Sequence, residues 1–243
     1  MLVSTLRMQD YIVQATDGEV GRVDDLYVRR EEWLIRHLLL KTALEPNGGR
    51  ILISTQNITH IAHDTQVISL DLTQEQVFDS PDIDVEQPIS KQHEIELTQY
   101  YGWPPDWLQE EQEITPTDEL SEEPQDEADA DETEYTGPEL QSCNEITGLF
   151  RVQLNDAEMG KIMDFLVDDE TWLIEYAAVE FAESETGQIL LPMAIVQGVD
   201  WTEGHIYADA SLDAVADGPV YDPGQPLSQA QQELLRSGSH RGS

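Results

Sequence analysis

A stretch of nineteen residues occurs twice in this chain, and any fold must build the same local structure from both copies. The first copy begins Asp17-Gly18-Glu19-Val20-Gly21 and runs through Asp24-Asp25-Leu26 to Glu32-Trp33-Leu34-Ile35. The second begins Asp156-Ala157-Glu158-Met159-Gly160 and runs through Asp164 to Thr171-Trp172-Leu173-Ile174. At a constant offset of 139, nine of the nineteen positions from 17 to 35 are identical, among them Asp17 with Asp156, Gly21 with Gly160, Asp25 with Asp164 and Trp33 with Trp172. With common residues each at about 7% of a typical chain, chance gives about one or two matches. The match resumes at an offset of 138, where seven of the fourteen positions from 77 to 90 recur at 215 to 228. The chain is a tandem duplication.

Each copy reads as short strands punctuated by turns. Asp17-Gly18 is a hairpin signal, because such a pair readily takes the positive φ angles of a type I′ turn; it would join strands over 11–15 and 21–29. Gly21 and Gly160 recur at one strand position, which marks a bulge or a close backbone approach. Leu26 and Val28 alternate with Asp25 and Tyr27, as Phe165 and Val167 do with Asp164 and Leu166, so one face of that strand is core. Further strands are expected over 35–42, 50–54 and 66–70, with counterparts over 174–181, 188–192 and 204–208. Pro192 lacks an N–H and belongs at a strand end or edge. Ser90 and Ser228 sit at helix N-cap positions, and Ser228 with Gln231 makes a capping box. Helices are expected over 91–101 and 229–235.

Five or six short strands in under about 75 residues, with no helical run long enough for a crossover, predict an all-β chain of two small antiparallel β-barrels, each followed by a short helix. The expected domains are 1–108, ending in an aromatic Pro-Pro segment, and 146–236. A linker over 109–145 and a flexible tail over 237–243 complete the chain. The linker holds fifteen acidic residues and no Lys or Arg, a composition that predicts disorder. Cores of this size bury only about 60% of the unfolded surface, so the two barrels are expected to pair within the chain or across a homodimer.

The formal net charge of -38 disfavours phosphate backbones and anionic lipid as partners, so neither nucleic acid nor membrane insertion is expected. Without the linker, 35 acids still face 12 bases, so the folded parts are acidic too, which points to adaptation to high salt or to cation binding. The single Cys143 excludes an intrachain disulfide and a cysteine metal cluster. No apolar run approaches the length of a membrane span, and a cytoplasmic location is expected.

The pattern Asp-Gly-Glu-x-Gly-x-Val-x-Asp at 17–25, the Trp33-Leu34-Ile35 strand start and Ser80-Pro81 followed by Gln87-Pro88-Ile89-Ser90 resemble the PRC-barrel family. Tyr100-Tyr101-Gly102-Trp103-Pro104-Pro105-Asp106-Trp107 adds to the likeness, since stand-alone bacterial members carry a similar ending. Similar domains occur in the cytoplasmic part of the photosynthetic reaction-centre H subunit and in a ribosome-maturation factor. The resemblance covers about 5–108 and 146–236. It implies a small β-barrel used for protein contacts, with no catalytic residues to carry over.

Candidate sites divide accordingly. His60 and His63 with Asp64 have the spacing of metal ligands, but the second copy places Gly198, Trp201 and Thr202 there, so no metal site is assigned. Asp25 and Asp164 could form an acid–base pair, but a repeated strand Asp more often accepts backbone hydrogen bonds beside a bulge. Trp33 and Trp172 read as packing residues. Tyr100, Tyr101, Trp103 and Trp107 form an aromatic cluster that either docks on its own barrel or meets a partner. No cofactor and no catalytic residue are assigned. The expected function is a non-enzymatic adaptor or scaffold for a protein partner, with a small-ligand or divalent-cation-binding protein as the alternative.

Overall fold

The computed structural model describes residues 1–42, 49–80, 100–101, 140–155, 160–181, 187–216 and 220–239. The first half comprises β1 (Leu2–Ser4), α1 (Thr5–Met8), β2 (Ile12–Ala15), β3 (Gly18–Arg29), β4 (Leu34–Lys41), β5 (Arg50–Ser54), β6 (Ile58–Ala62), β7 (Val67–Leu70) and α2 (Gln74–Phe78). The second comprises β8 (Leu140–Ser142), α3 (Cys143–Leu149), β9 (Arg151–Gln153), β10 (Gly160–Asp168), β11 (Ile174–Glu180), β12 (Gln188–Pro192), β13 (Val196–Asp200), β14 (His205–Ala208), α4 (Leu212–Ala216), β15 (Val220–Tyr221) and α5 (Gln229–Ser239). The chain is mainly β, and its halves repeat the same order.

Each half is built on one long, curled hairpin. In the first, β3 pairs antiparallel with β4, and in the second β10 pairs with β11. Both ladders carry bulges at matching places, between Val23 and Asp25 and between Ile162 and Asp164, then between Tyr27 and Val28 and between Leu166 and Val167. A bulge adds a residue to one strand and sharpens its bend, so the repeated pair curls both sheets alike.

The sheets are neither fully antiparallel nor closed. The first runs β5-β4-β3-β2-β7-β6, with β2 parallel to β7; the second runs β13-β14-β9-β10-β11-β12-β15, with β9 parallel to β14. Among the described residues no ladder joins β5 to β6 or β12 to β13. At each of these places the chain turns a corner through a single 3-10 turn, Thr55–Asn57 or Met193–Ile195, and the next strand leaves to pair elsewhere. The expected closed antiparallel barrel is replaced by a strongly bent open sheet.

Several local elements differ from what the sequence implies. The β2–β3 hairpin closes one residue earlier than Asp17-Gly18 implies: Ala15 pairs with Gly18, leaving Thr16 and Asp17 at the tip. Asp17 Oδ1 then accepts the Gln74 N–H at 2.7 Å, tying the hairpin to α2. Helix α5 continues to Ser239, three residues into the stretch assigned to a flexible tail. Its capping box is formed, with Ser228 N–H donating to Gln231 Oε1 at 3.0 Å and Gln231 N–H to Ser228 Oγ at 3.3 Å. The segment 140–145, assigned to the linker on composition, is β8 and the start of α3, and Cys143 is buried. Of the remaining linker, 109–139 lies outside the described residues, as do most of the helix expected over 91–101 and its cap Ser90.

The alternation in β3 and β10 picks out the central core: Leu26, Val28, Phe165 and Val167 belong to one apolar cluster that runs through both halves. The opposite face is covered too. Leu166, Tyr176, Ala178 and Leu190 pack under Leu2, Tyr221 and Leu235, while Tyr27, Leu39 and Leu52 pack under Leu140 and Tyr101.

Gly21 is where the bend leaves no room. A Cβ there would collide with the backbone carbonyl oxygen of Lys41, and φ is +156°. Backbone cannot step aside as a flexible side chain can, so Gly21→Ala is expected to cost about 1–3 kcal/mol, read from urea unfolding midpoints at unchanged slope.

Candidate functional site

Four of the repeated residues, Asp25, Asp164, Trp33 and Trp172, meet at the seam between the halves. Two arms cross it. β1 of the first half pairs with β10 of the second, with Leu2 opposite Asp168 and Ser4 opposite Leu166. Reciprocally, β8 at the start of the second half pairs with β3 of the first, with Leu140 opposite Arg29 and Ser142 opposite Tyr27. Each half therefore completes the other's sheet under an approximate two-fold relation. Each arm ends in a serine that begins a short helix: Ser4 Oγ accepts the Arg7 N–H at 3.0 Å, and Ser142 Oγ accepts the Glu145 N–H at 3.1 Å.

Those serines also donate across the seam to the repeated aspartates. Asp164 is 0% exposed. Its Oδ2 accepts from Ser4 Oγ at 2.5 Å and from the Tyr221 hydroxyl at 2.7 Å. Its Oδ1 accepts from Thr5 Oγ1 at 3.0 Å, Phe165 N at 2.8 Å and Leu6 N at 3.2 Å. Asp25, 5% exposed, accepts from Leu26 N at 2.7 Å and Asn144 N at 3.3 Å, with the Ser142 hydroxyl closing on its other oxygen. The second set has three donors against five, and Cys143, standing where the first arm has Thr5, accounts for one of the two lost. Burial pushes the Asp25 carboxyl up to about 6, against the pull of its three donors. Burial also pushes the Cys143 thiol well up, and the charges of Asp25 and Asp164 add to it. A thiol held protonated in this way is a poor nucleophile.

Trp33 and Trp172 hold the middle of the seam. Both adopt left-handed backbone, at φ 55° and 62°, a conformation costing roughly 1–2 kcal/mol for a residue with a Cβ. That geometry turns each carbonyl toward the other half: Ile35 N donates to Trp172 O at 2.8 Å and Ile174 N to Trp33 O at 2.9 Å. Leu34 and Leu173 bridge antiparallel between them. The Trp33 ring lies 5.9 Å from Phe165 and 5.5 Å from Trp201, and the Arg30 guanidinium sits 4.9 Å above Trp201. Both repeated tryptophans are buried packing residues.

The other candidates fall apart as a group. Tyr101 packs against Tyr27, Leu39 and Leu52, and burial raises its pKa. Tyr100 is 41% exposed and donates to Gln76 O at 3.1 Å. Trp103, Trp107 and Asp156 lie outside the described residues. His60 and Asp64 are exposed, whereas His63 turns to the seam, its Nε2 2.7 Å from Asp169 Oδ2 and its Nδ1 3.4 Å from the Tyr11 hydroxyl. Among the described residues no three His, Cys, Asp or Glu side chains gather as a metal-ligand set. His37 is fully buried, and burial lowers it to about 3, so its imidazole stays neutral. No helix of the described residues is long and apolar enough to cross a membrane.

Sequence reasoning missed the arms and the hydroxyls of Ser4, Thr5, Ser142 and Tyr221 that saturate the aspartates. A signal exists: Leu2-Val3-Ser4 recurs as Leu140-Gln141-Ser142 at an offset of 138. No protein-family model matches the chain, and no curated protein matches it.

Proposed function

We propose that this chain is a non-enzymatic interaction module, an adaptor or scaffold in which two PRC-type β modules are locked into one body and present an acidic surface to a protein partner. The observation that carries the reading is the use made of the repeated polar groups. Asp25 and Asp164, the residues best placed by repetition to be chemical, are buried, and each accepts from the arm of the opposite half. Such groups hold a framework together and leave function to the outside. The likeness to PRC-barrel sequences supports the same reading. The chain carries 50 acids against 12 bases, which favours a basic protein face as partner through electrostatic steering.

Calorimetric titration separates this reading from that of an acidic cation-binding protein. Ca²⁺ and Mg²⁺ are expected to bind only weakly, without a fixed stoichiometry and with heats that shrink as KCl is raised. Stoichiometric micromolar binding of either ion would replace the adaptor reading with the cation one. A basic peptide or domain captured from the native host should bind with an on-rate that falls steeply with salt.

A further inference from the structure

A cleft of about 200 Å³ opens on the seam where the first arm lies over the second sheet. Val3 of β1, Leu166 of β10 and Leu227 give it apolar walls, and Arg7, Tyr11, His63 and Asp64 give it a polar side. The volume falls below the roughly 300–1,000 Å³ of drug-sized sites, so it suits a short-chain or single-ring molecule.

Arg7 decides the ligand's charge. In a chain with 12 basic residues among 50 acidic ones, a guanidinium has an abundance of carboxylates to pair with. Arg29 takes Glu32 and Arg50 takes Asp24. The Arg7 guanidinium has no ion pair or hydrogen bond among the described residues. Its backbone is fixed by the N–H bond to Ser4 Oγ, within the cap that grips Asp164. Arg7 lines the cleft together with Tyr11 and Tyr221, and its charge opposes the burial that raises both hydroxyls. Nearby carboxylates form no ion pair with it: Asp164 is saturated by five donors, Asp169 is engaged by His63 and by the Met1 ammonium, and Asp64, which also lines the cleft, is exposed.

We propose that this cleft binds a small organic monocarboxylate, its carboxylate forked on the Arg7 guanidinium and its apolar body seated against Val3, Leu166 and Leu227. A planar guanidinium offers two parallel N–H donors that match a carboxylate. The Tyr11 hydroxyl, held by His63 only at 3.4 Å, is free to turn and supply a third. A dianion is disfavoured because one guanidinium cannot offset two charges inside the field of a -38 chain. A monoanion in contact with Arg7 feels that charge directly, while the distant acids are screened beyond about 8 Å at physiological salt. An inorganic cation would sit beside an uncompensated guanidinium and is excluded by repulsion. The site belongs to both halves, so a ligand there would hold the first arm against β10. It is independent of the adaptor reading and of the partner's identity.

The test is calorimetric titration of the full chain with benzoate and isovalerate, with benzamide as the neutral control and ionic strength held constant with KCl. Constant ionic strength matters because any salt relieves self-repulsion in so acidic a protein. Saturable one-to-one binding of a carboxylate with a Kd on the order of 0.1–1 mM is expected, at least tenfold tighter than benzamide. Arg7→Gln should lose it at least tenfold with an unchanged thermal midpoint, and Arg7→Lys should keep part of it. Leu227→Trp, which fills the cleft and spares Arg7, should also abolish binding. No saturable heat from either acid up to about 10 mM, equal binding of benzamide, or undiminished binding by Arg7→Gln would each overturn the proposal.

Discussion

Replacing Asp164 with alanine is expected to destabilise the protein by about 3–5 kcal/mol, the range for breaking a buried, fully hydrogen-bonded charged group. For a chain of this size that is a fall of roughly 6–20 °C in thermal midpoint. The carboxylate is 0% exposed and accepts from three hydroxyls and two N–H groups, two of the hydroxyls and one N–H reaching it from the first arm. Alanine leaves all five donors facing a small void with no acceptor, and each unsatisfied buried polar group costs roughly 1–3 kcal/mol. Loss of the charge returns part of that, since a buried ion no longer has to be kept from water. The arm gives the cost a second signature. Ser4 contributes both to the Asp164 carboxylate and to the cap of α1, so Ser4→Ala and Asp164→Ala remove one shared bond. Their combined effect should fall short of the sum by about 1 kcal/mol or more. A loss below about 1 kcal/mol for Asp164→Ala, the scale of an ordinary surface change, would mean that the crossed arms do not hold the halves together. Hydrogen exchange at Leu6 and Phe165 should rise with the loss, because both amides lose their acceptor.

What could be read from residues alone was the repeat and its consequences. Nine matches in nineteen positions demanded like ladders, and β3–β4 and β10–β11 repeat each other down to the placement of their bulges. The alternation of Leu26 and Val28 identified the face turned to the shared core. Local pattern could not say that Tyr27 and Leu166 on the opposite face would be covered as well, because the cover comes from arms far away in sequence. Those arms are three residues each, too short for any periodicity, and their repeat is hidden by the change of offset from 138 at Ser4 and Ser142 to 139 at Gly21 and Gly160. The parallel pairings of β2 with β7 and β9 with β14 are equally non-local. Strand composition carries no mark of a neighbour's direction. An acidic composition also concealed the second arm, since Leu140 and Cys143 are isolated apolar residues among polar ones and bury only because β3 offers them an edge. Arg7 and Tyr11 gave no signal at all. Their meaning depends on which carboxylates they fail to meet.

Asp25 should make stability depend on pH in a direction opposite to that of a salt-bridged carboxylate. Its carboxyl rises from an ordinary 3.8 to about 6, first because burial disfavours the charge and further through the neighbouring Asp24, with the Ser142 hydroxyl and the Leu26 and Asn144 N–H groups opposing. A folded-state value above the unfolded one means that the native protein holds this proton more tightly. Between about pH 4 and pH 6 the native state therefore binds more protons, and the contribution of Asp25 to stability falls as pH rises through that window. It is flat above about 6, where both states are ionised, and below about 4, where both are protonated. At about 1.4 kcal/mol per unit the whole swing is about 3 kcal/mol. Fifty acidic residues also repel one another less at low pH, which slopes the same way, so the wild-type curve alone cannot isolate the effect. Asp25→Asn can. The amide oxygen keeps the Leu26 and Asn144 N–H bonds, the amide nitrogen can donate to Ser142 Oγ, and the general charge effect is nearly unchanged. Urea unfolding of both proteins across pH 4 to 7 should show the wild type losing about 3 kcal/mol relative to the variant, within the stated window. Parallel curves would mean that Asp25 stays solvated and that Ser142 and its arm do not seal it. A gap that instead widened in the wild type's favour with rising pH would mean that the three donors outweigh burial, leaving Asp25 a net stabilising anion at the seam.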